Sequence, residues 1–393
     1  MQWLARQLRQ LEAKGLRRTL QPLPAGGPYV ERGGRRLLNL ASNDYLGLST
    51  HPRLVAAARE ALARWGVGAG AARLVVGDRP VHDALEAALA ALKETEAALV
   101  FPSGYAANVG VLSALAGPRD QIFADALNHA SLNDGARLSR ARFRYYRHRD
   151  LEQLEQLLRG PGPGRGGRRF IVTDAIFSMD GTLAPLPELV ELAERYEALL
   201  IVDDAHGTGV VGPEGRGTAH HLGVAGRIPV QVATLSKALG AQGGAALSTR
   251  TLIDYLLHRA RAFIYSTGLS PVLAAAALEA VRLVQSDEGE YRRRRQQAHV
   301  TRLKAALEAR GYTVRHEPPA PMLAVLVGTP EAALRLSARL EARGVLAPAI
   351  RPPTVPPGTS RIRLAPMATH TDEDIEAALA AFPEAETLQS HAV

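Results

Sequence analysis

The chain has 393 residues, 46% hydrophobic and 22% charged, a balance that suits a globular protein with one large and one smaller domain. It has no cysteine, which excludes disulfides, thiolate metal sites and cysteine nucleophiles, and no apolar run near the roughly 18 residues of a membrane-spanning helix. The net charge of +8 comes from arginines scattered along the chain, not from a stripe interleaved with aromatics, so nucleic acid is not an expected partner, whereas a small polyanionic substrate would be attracted.

The N-terminal stretch MQWLARQLRQLEAKGLRR is a charged amphipathic pattern on Leu4, Leu8 and Leu11. It lacks the apolar core of a signal peptide, and the cytoplasm is the expected location. From about residue 97 to 250, short apolar runs alternate with helical patterns: AALVF (97–101), QIFADAL (121–127), FIVTDAIF (170–177), ALLIVDDAH (198–206), VQVATLS (230–236) and GGAALST (243–249). Continuous apolar strands separated by helices predict a mostly parallel sheet covered on both faces. The stretch RGPGPGRGGRR (159–169) reads as a surface loop. A long helical stretch (about 271–310) follows, then a strand at 322–328, a helix around 331–343 and a strand at 360–366. The expected division is an N-terminal helix and arm (1–45), a large α/β domain (46–285) and a smaller α+β domain (286–393).

Ligands of open α/β sheets collect at the carboxyl ends of the strands. Gly207-Thr208-Gly209-Val210-Val211-Gly212 matches a dinucleotide fingerprint, but Pro213-Glu214-Gly215-Arg216-Gly217 cannot open the helix that such a site requires. Only four lysines occur, Lys14, Lys93, Lys237 and Lys304, and any titratable amine must be one of them, because arginine does not deprotonate. Lys14, Lys93 and Lys304 sit on the polar side of helical patterns and read as solvated. Lys237 ends an apolar run among small residues, where desolvation would lower its pKa and free the amine as a nucleophile. Asp203 and Asp204 end another run and should face opposite sides of the sheet. A buried Asp203 is explained by a bound pyridine nitrogen, by a metal pair or by a salt bridge, although ligands for a metal are too few here and no metal is expected. His129 follows a strand as a cap, a core residue or a ligand. Ser103-Gly104-Tyr105 is a strand-to-helix turn whose amides could hold a phosphate.

Taken together, LASNDYLGLSTHP (40–52), FPSGYAAN (101–108), NHASLNDGARLS (128–139), IFSMDG (176–181), VDDAHGTGVVG (202–212), TLSKALG (234–240), FIYST (263–267) and AIRPPTVPPGTSRIRL (349–364) resemble the α-oxoamine synthases, fold-type-I pyridoxal-phosphate enzymes. The resemblance implies a large domain with a mostly parallel central sheet, a smaller C-terminal α+β domain and a homodimer with its active site at the subunit interface. It implies that Lys237 carries pyridoxal 5'-phosphate as a Schiff base and later acts as the base at Cα. Asp203 would pair with the pyridinium nitrogen, His206 and Ser178 would hold the phenolic oxygen, and His129 would stack on the ring. The phosphate would fall to the amides of Gly104 and Tyr105, the Thr234 hydroxyl and Thr267 of the other subunit. Asn43 and Arg351 match positions near the amino-acid carboxylate, and Arg17 one near the acyl substrate.

The HGTG turn and the RPPTVP segment are similar to those of the branch that joins L-alanine to pimeloyl-CoA, or to a pimeloyl-carrier protein, with loss of CO2, in biotin synthesis. Glycine with acetyl-CoA is the neighbouring alternative. Two places depart from the family pattern: Gly68-Ala69-Gly70-Ala71-Ala72-Arg73, where relatives often have a Gly/Ser-rich turn, and Tyr105 in place of phenylalanine.

Overall fold

The computed structural model describes residues 1–13, 16–17, 20–24 and 26–385. Its centre is a seven-stranded sheet: β1 (Ala97–Phe101), β2 (Gln121–Asp125), β3 (Arg142–Tyr146), β4 (Arg169–Asp174), β5 (Ala198–Asp203), β6 (Val230–Thr234) and β7 (Gly244–Ser248). The spatial order is β1-β7-β6-β5-β4-β2-β3. Only β7 runs against its neighbours, so the other six strands point their carboxyl ends the same way. Alternate residues supply opposite faces: Ala98 and Val100 join a core with Leu85, Leu89 and Val281, while Leu99 and Phe101 join one with Val111 and Leu256. Burial on both faces is why these strands read as unbroken apolar runs. The edge strand β3, RFRYY, is mostly solvent-facing and carries Arg142 and Arg144, so no apolar run marks it.

The stretch expected as one helix over 271–310 is two, Pro271–Val284 and Asp287–Ala309. Ser286 ends the first by donating to Leu283 O (2.6 Å) and caps the second by accepting from Gly289 N (3.4 Å). A Cβ at Gly289 would lie 2.4 Å from Val284 O, so only glycine permits so abrupt a corner. Three arginines of the second helix stitch it to other parts of the chain, while Arg294 stays in solvent. Arg293 is buried and donates to Val284 O, Arg292 reaches Leu46 O (2.9 Å) and Arg295 reaches His370 O (2.7 Å).

Beyond this corner lies an antiparallel sheet of Val314–Arg315, Leu323–Gly328, Ser360–Leu364 and Ala349–Ile350, in that order. Its core, built on Leu303, Leu323, Leu336, Ile362 and Ile375, also takes Leu38 and Leu40 from the N-terminal arm. That arm forms a hairpin, Tyr29–Arg32 with Arg35–Asn39, and the second strand pairs in parallel with Val345–Leu346. The first 45 residues are therefore not all separate: Tyr29 to Leu40 pack with the C-terminal part, whereas Tyr45 joins the core of the large domain. The helix Gln2–Ala13 buries no residue.

Lys93 corrects the solvated reading. It caps the helix Pro80–Leu92, is 1% exposed, and donates to Asp204 Oδ2 (2.6 Å) and Arg216 O (2.8 Å). Lys304 is partly exposed and 3.9 Å from Glu308, and Lys14 lies outside the described residues. Removing one partner of a buried pair strands the other charge at a cost of about 3–5 kcal/mol. Lys93→Met is expected to lower unfolding stability by about that amount in a denaturant titration at fixed protein concentration. A loss below about 0.5 kcal/mol would mean that the Asp204 charge is relieved elsewhere.

Candidate active site

The parallel strands deliver their last residues to one edge of the sheet. β4 and β5 place Asp174 and Asp203 side by side in register. Asp203 is buried and accepts from Asn108 Nδ2 (2.6 Å) and Ala205 N (2.9 Å). Asp174 Oδ2 accepts from His129 N (2.7 Å), and burial, then the neighbouring Asp203 charge, push its carboxyl well above the usual range. Lys237 follows β6, where burial holds its amine below the ordinary lysine value; the Arg363 charge adds to this, while Asp203 and Asp174 oppose it. These mutual influences put Lys237, Asp203, Asp174 and Arg363 in one neighbourhood.

His129 caps the helix Ala130–Leu138, with Nδ1 2.7 Å from Ser131 Oγ. Burial first, then the Lys237 charge, keep its imidazole below the usual value. His206 is held further down by burial, then by Lys237, Arg363 and His129, and its Nδ1 lies 2.6 Å from Tyr45 Oη. Burial lifts the Tyr45 phenol to about 12. Arg363 ties this corner together, donating to Ser178 O (2.6 Å), Asn43 Oδ1 (3.0 Å) and Tyr45 Oη (3.1 Å).

At the other end, Ser103 caps the helix Gly104–Leu115 by accepting from Ala106 N (3.0 Å). The amides of Gly104 and Tyr105 belong to the first turn and have no partner within the helix. A Cβ at Gly104 would lie 3.2 Å from Thr234 Oγ1, so glycine brings the helix start against that hydroxyl, itself 2.8 Å from Ser236 Oγ. Two hydroxyls at a helix N-terminus suit a phosphate. A half-buried amine and a buried carboxylate beyond them suit an aldehyde and a cationic ring nitrogen.

Gly104, Tyr105, His129, Ser178, Asp203, His206, Thr234 and Lys237 thus gather at this edge, although the Tyr105 hydroxyl turns outward to Asp134 Oδ2 (2.8 Å). Asn43 joins through Arg363. Arg351 lines a cleft of about 820 Å3 with Arg17, Leu8, Leu11, Leu16 and Ile350. Thr267 is exposed, on a loop held by Gly268 N donating to Ala71 O (2.9 Å). Sequence reasoning missed Asp174, Tyr45, Asn108 and Arg363. Asp174 had a signal, since FIVTD, like LLIVD, closes an apolar run on an aspartate; Arg361 and Arg363, two apart in SRIRL, share one strand face.

The aminotransferase class I and II family matches residues 35–382. Among relatives, the chain is 51% identical to an 8-amino-7-oxononanoate synthase of Anaeromyxobacter dehalogenans over 97% of this chain and 95% of that protein. It is 49% identical to one of Geobacter sulfurreducens, over 96% of each. Among solved structures, a serine palmitoyltransferase from S. paucimobilis with bound PLP-myriocin aldimine superposes with a TM-score of 0.91 at 29% identity, over 98% of both chains. An 8-amino-7-oxononanoate synthase from Francisella tularensis superposes with 0.77 at 27% identity, over 91% of this chain and 99% of that one.

His82, His129, His206, His220, His299, His316 and His370 are all held below the ordinary imidazole value chiefly by burial, His370 down to about 4. Below about pH 6.5 the unfolded chain therefore binds more protons than the folded one. Their contribution is fully present above that pH and is lost as pH falls. Denaturation midpoints are expected to drop as pH falls from about 6.5 to 5, less steeply than the histidines alone would give because the raised Asp174 carboxyl opposes them. Level midpoints down to about pH 5 would count against burial of these rings.

Proposed function

The chain belongs to the aminotransferase class I and II family, and on that footing we propose that it performs the 8-amino-7-oxononanoate synthase reaction. L-alanine and a pimeloyl thioester, on CoA or a carrier protein, would give 8-amino-7-oxononanoate, the free thiol and CO2, as a step of biotin biosynthesis. The carrying observation is Lys237, whose depressed amine stands beside Asp203 in a chain about half identical, nearly end to end, to synthases of that name.

Pyridoxal phosphate fits the residues present. The amides of Gly104 and Tyr105 with the Thr234 hydroxyl would hold its phosphate, Asp203 its ring nitrogen, His206 with Ser178 its phenolic oxygen, and His129 would lie on the ring face. When bound, it supplies an electron sink for the amino-acid Cα. Lys237 would take the proton from Cα, which requires a neutral amine; its burial and the Arg363 charge favour that form. Loss of CO2 would draw the overall reaction forward. The cleft shared by Arg17 and Arg351 combines leucine walls with two guanidinium groups, a lining suited to an acyl chain ending in a carboxylate. Asn43, held on Arg363, would face the amino-acid carboxylate.

We propose that a second copy completes the site. Val67, Leu74, Val75, Val76 and Tyr265 are each more than half exposed, and hydrogen bonds from Gly268 N to Ala71 O and from Ser270 Oγ to Val67 O tie their segments to the Thr267 loop. A partner covering them would bring Thr267 to the other subunit's phosphate.

Borohydride is expected to fix the cofactor to the wild-type chain, with the added mass on the Lys237 peptide. Lys237→Ala should stay folded and take no such mass; a reducible adduct in that variant would refute the assignment. Likeness to serine palmitoyltransferase makes the substrate pair a fair question. Thiol release should be measured with L-alanine, glycine and L-serine, each against pimeloyl-CoA and acetyl-CoA. Release confined to L-alanine with pimeloyl-CoA is expected. Release with glycine and acetyl-CoA would keep the cofactor and lysine but replace the reaction.

A further inference from the structure

Asn108 stands one turn into the helix Gly104–Leu115 and is 1% exposed. Its side-chain nitrogen has two hydrogens, and both are committed: Nδ2 donates to Asp203 Oδ2 (2.6 Å) and to Ser131 Oγ (2.9 Å). The amide oxygen is buried without a partner. The reverse orientation would set that oxygen against a carboxylate oxygen, which an ionised Asp203 does not tolerate.

Ser131 is fully buried. Because its oxygen accepts from Asn108, its own hydrogen is left for His129 Nδ1, 2.7 Å away. The Ser131 amide also donates to Nδ1 (3.3 Å). With two donors aimed at it, Nδ1 acts as an acceptor, and in the neutral ring the hydrogen sits on Nε2. The chain Asp203–Asn108–Ser131–His129 therefore runs unbroken through the interior, every donor facing an acceptor. Its geometry needs the two helices in close contact, and Gly135 provides it: a Cβ there would lie 3.0 Å from Asn108 O and from Leu112 Cβ.

We infer that Asn108 and Ser131 are positioning residues that fix the orientation of the Asp203 carboxyl and hold His129 as its Nε2–H tautomer, so that one buried amide sets both groups flanking the cofactor ring. The inference rests on the reading of Lys237, Asp203 and His129 as the cofactor site. Asn108 and Ser131 touch neither substrate nor cofactor in this assignment; they act through the residues that do. Asp174, Lys237 and Arg363 share the site's electrostatics with these two groups, but none of them supplies a hydrogen to either end of the chain.

The test is the exchange of the L-alanine Cα hydrogen for deuterium, followed by NMR on cofactor-loaded protein without acyl donor, across a pH series. Cofactor affinity is titrated in parallel. A hydrogen bond to a charged group is worth about 10- to 100-fold in rate. Asn108→Ala is expected to slow exchange by about that factor while cofactor affinity changes by less than about threefold. Asn108→Asp keeps the shape but can offer Asp203 a hydrogen only while the carboxylate pair retains a proton. Its rate relative to wild type is therefore expected to fall as pH rises. Ser131→Ala is expected to slow exchange about tenfold, and Ser131→Thr, which restores a hydroxyl, to recover most of the loss.

A relative rate for Asn108→Asp that does not vary with pH would overturn the inference, as would a Ser131→Thr variant no better than Ser131→Ala. Either result would reduce the chain to a clip between two helices. Lys237→Ala separates the two levels. Exchange that persists in that variant overturns the site itself; exchange lost there but normal in Asn108→Asp overturns only the positioning roles.

Discussion

Asp174 and Asp203 end neighbouring parallel strands at the same level of a sheet that is buried on both faces. Two carboxylates so placed, away from bulk water, must be paid for by donors and by an opposing charge. Much of the local architecture can be read as that compensation. Asn108 and the Ala205 amide serve Asp203, the His129 amide serves Asp174, and the Lys237 amine lies within electrostatic reach of both. The proton balance within this cluster follows from the same constraint: Asp174 is pushed toward its neutral form, and the flanking imidazoles are kept neutral.

The next residue carries a second, independent compensation. Strand alternation turns Asp204 away from Asp203, toward the end of the helix Pro80–Leu92, where it meets Lys93 and the Thr218 hydroxyl (2.6 Å). The turn after it is built around that carboxylate. A Cβ at Gly207 would lie 2.2 Å from both Asp204 Oδ1 and Thr218 Oγ1, and one at Gly217 would lie 1.9 Å from Asp204 Oδ2. Of the glycines that imitate a dinucleotide fingerprint, Gly207 is accounted for by this close passage over a buried ion pair, whereas Gly209 lies against Ala238 and Leu239 and Gly212 against the Gly217 carbonyl. The same clamp fixes the turn that carries His206.

Arg363 performs the long-range work. It belongs to the C-terminal sheet yet donates to Ser178 O in the large sheet's connections and to Asn43 and Tyr45 of the N-terminal arm. Its neighbour on the same strand face, Arg361, bonds Asp180 and Met179 O in the same connection. Three stretches of sequence, around residues 43, 178 and 363, are thereby held at one corner, and His206 is reached through Tyr45. A shift of the C-terminal part against the sheet would be felt directly at that corner.

Six of the seven central strands, the glycine-rich turns and the isolation of Lys237 were legible in the sequence, because double burial writes continuous apolar runs and because so few lysines compete for the chemistry. The strand RFRYY was not, since an edge strand keeps its arginines in water and loses the apolar signal. Lys93 was misread because a lysine beside a helical leucine looks the same whether its amine ends in solvent or against an aspartate more than a hundred residues away. The sequence by itself determined the fold class, the strand ends that bear functional groups and the identity of the only lysine at such an end. The tertiary structure alone decided what surrounds those groups: that Asp174 lies beside Asp203, that Asn108 and Ser131 join Asp203 to His129, and that Arg351 shares a cleft with Arg17. Local periodicity records which side of an element is buried; it holds no record of which distant side chain waits there.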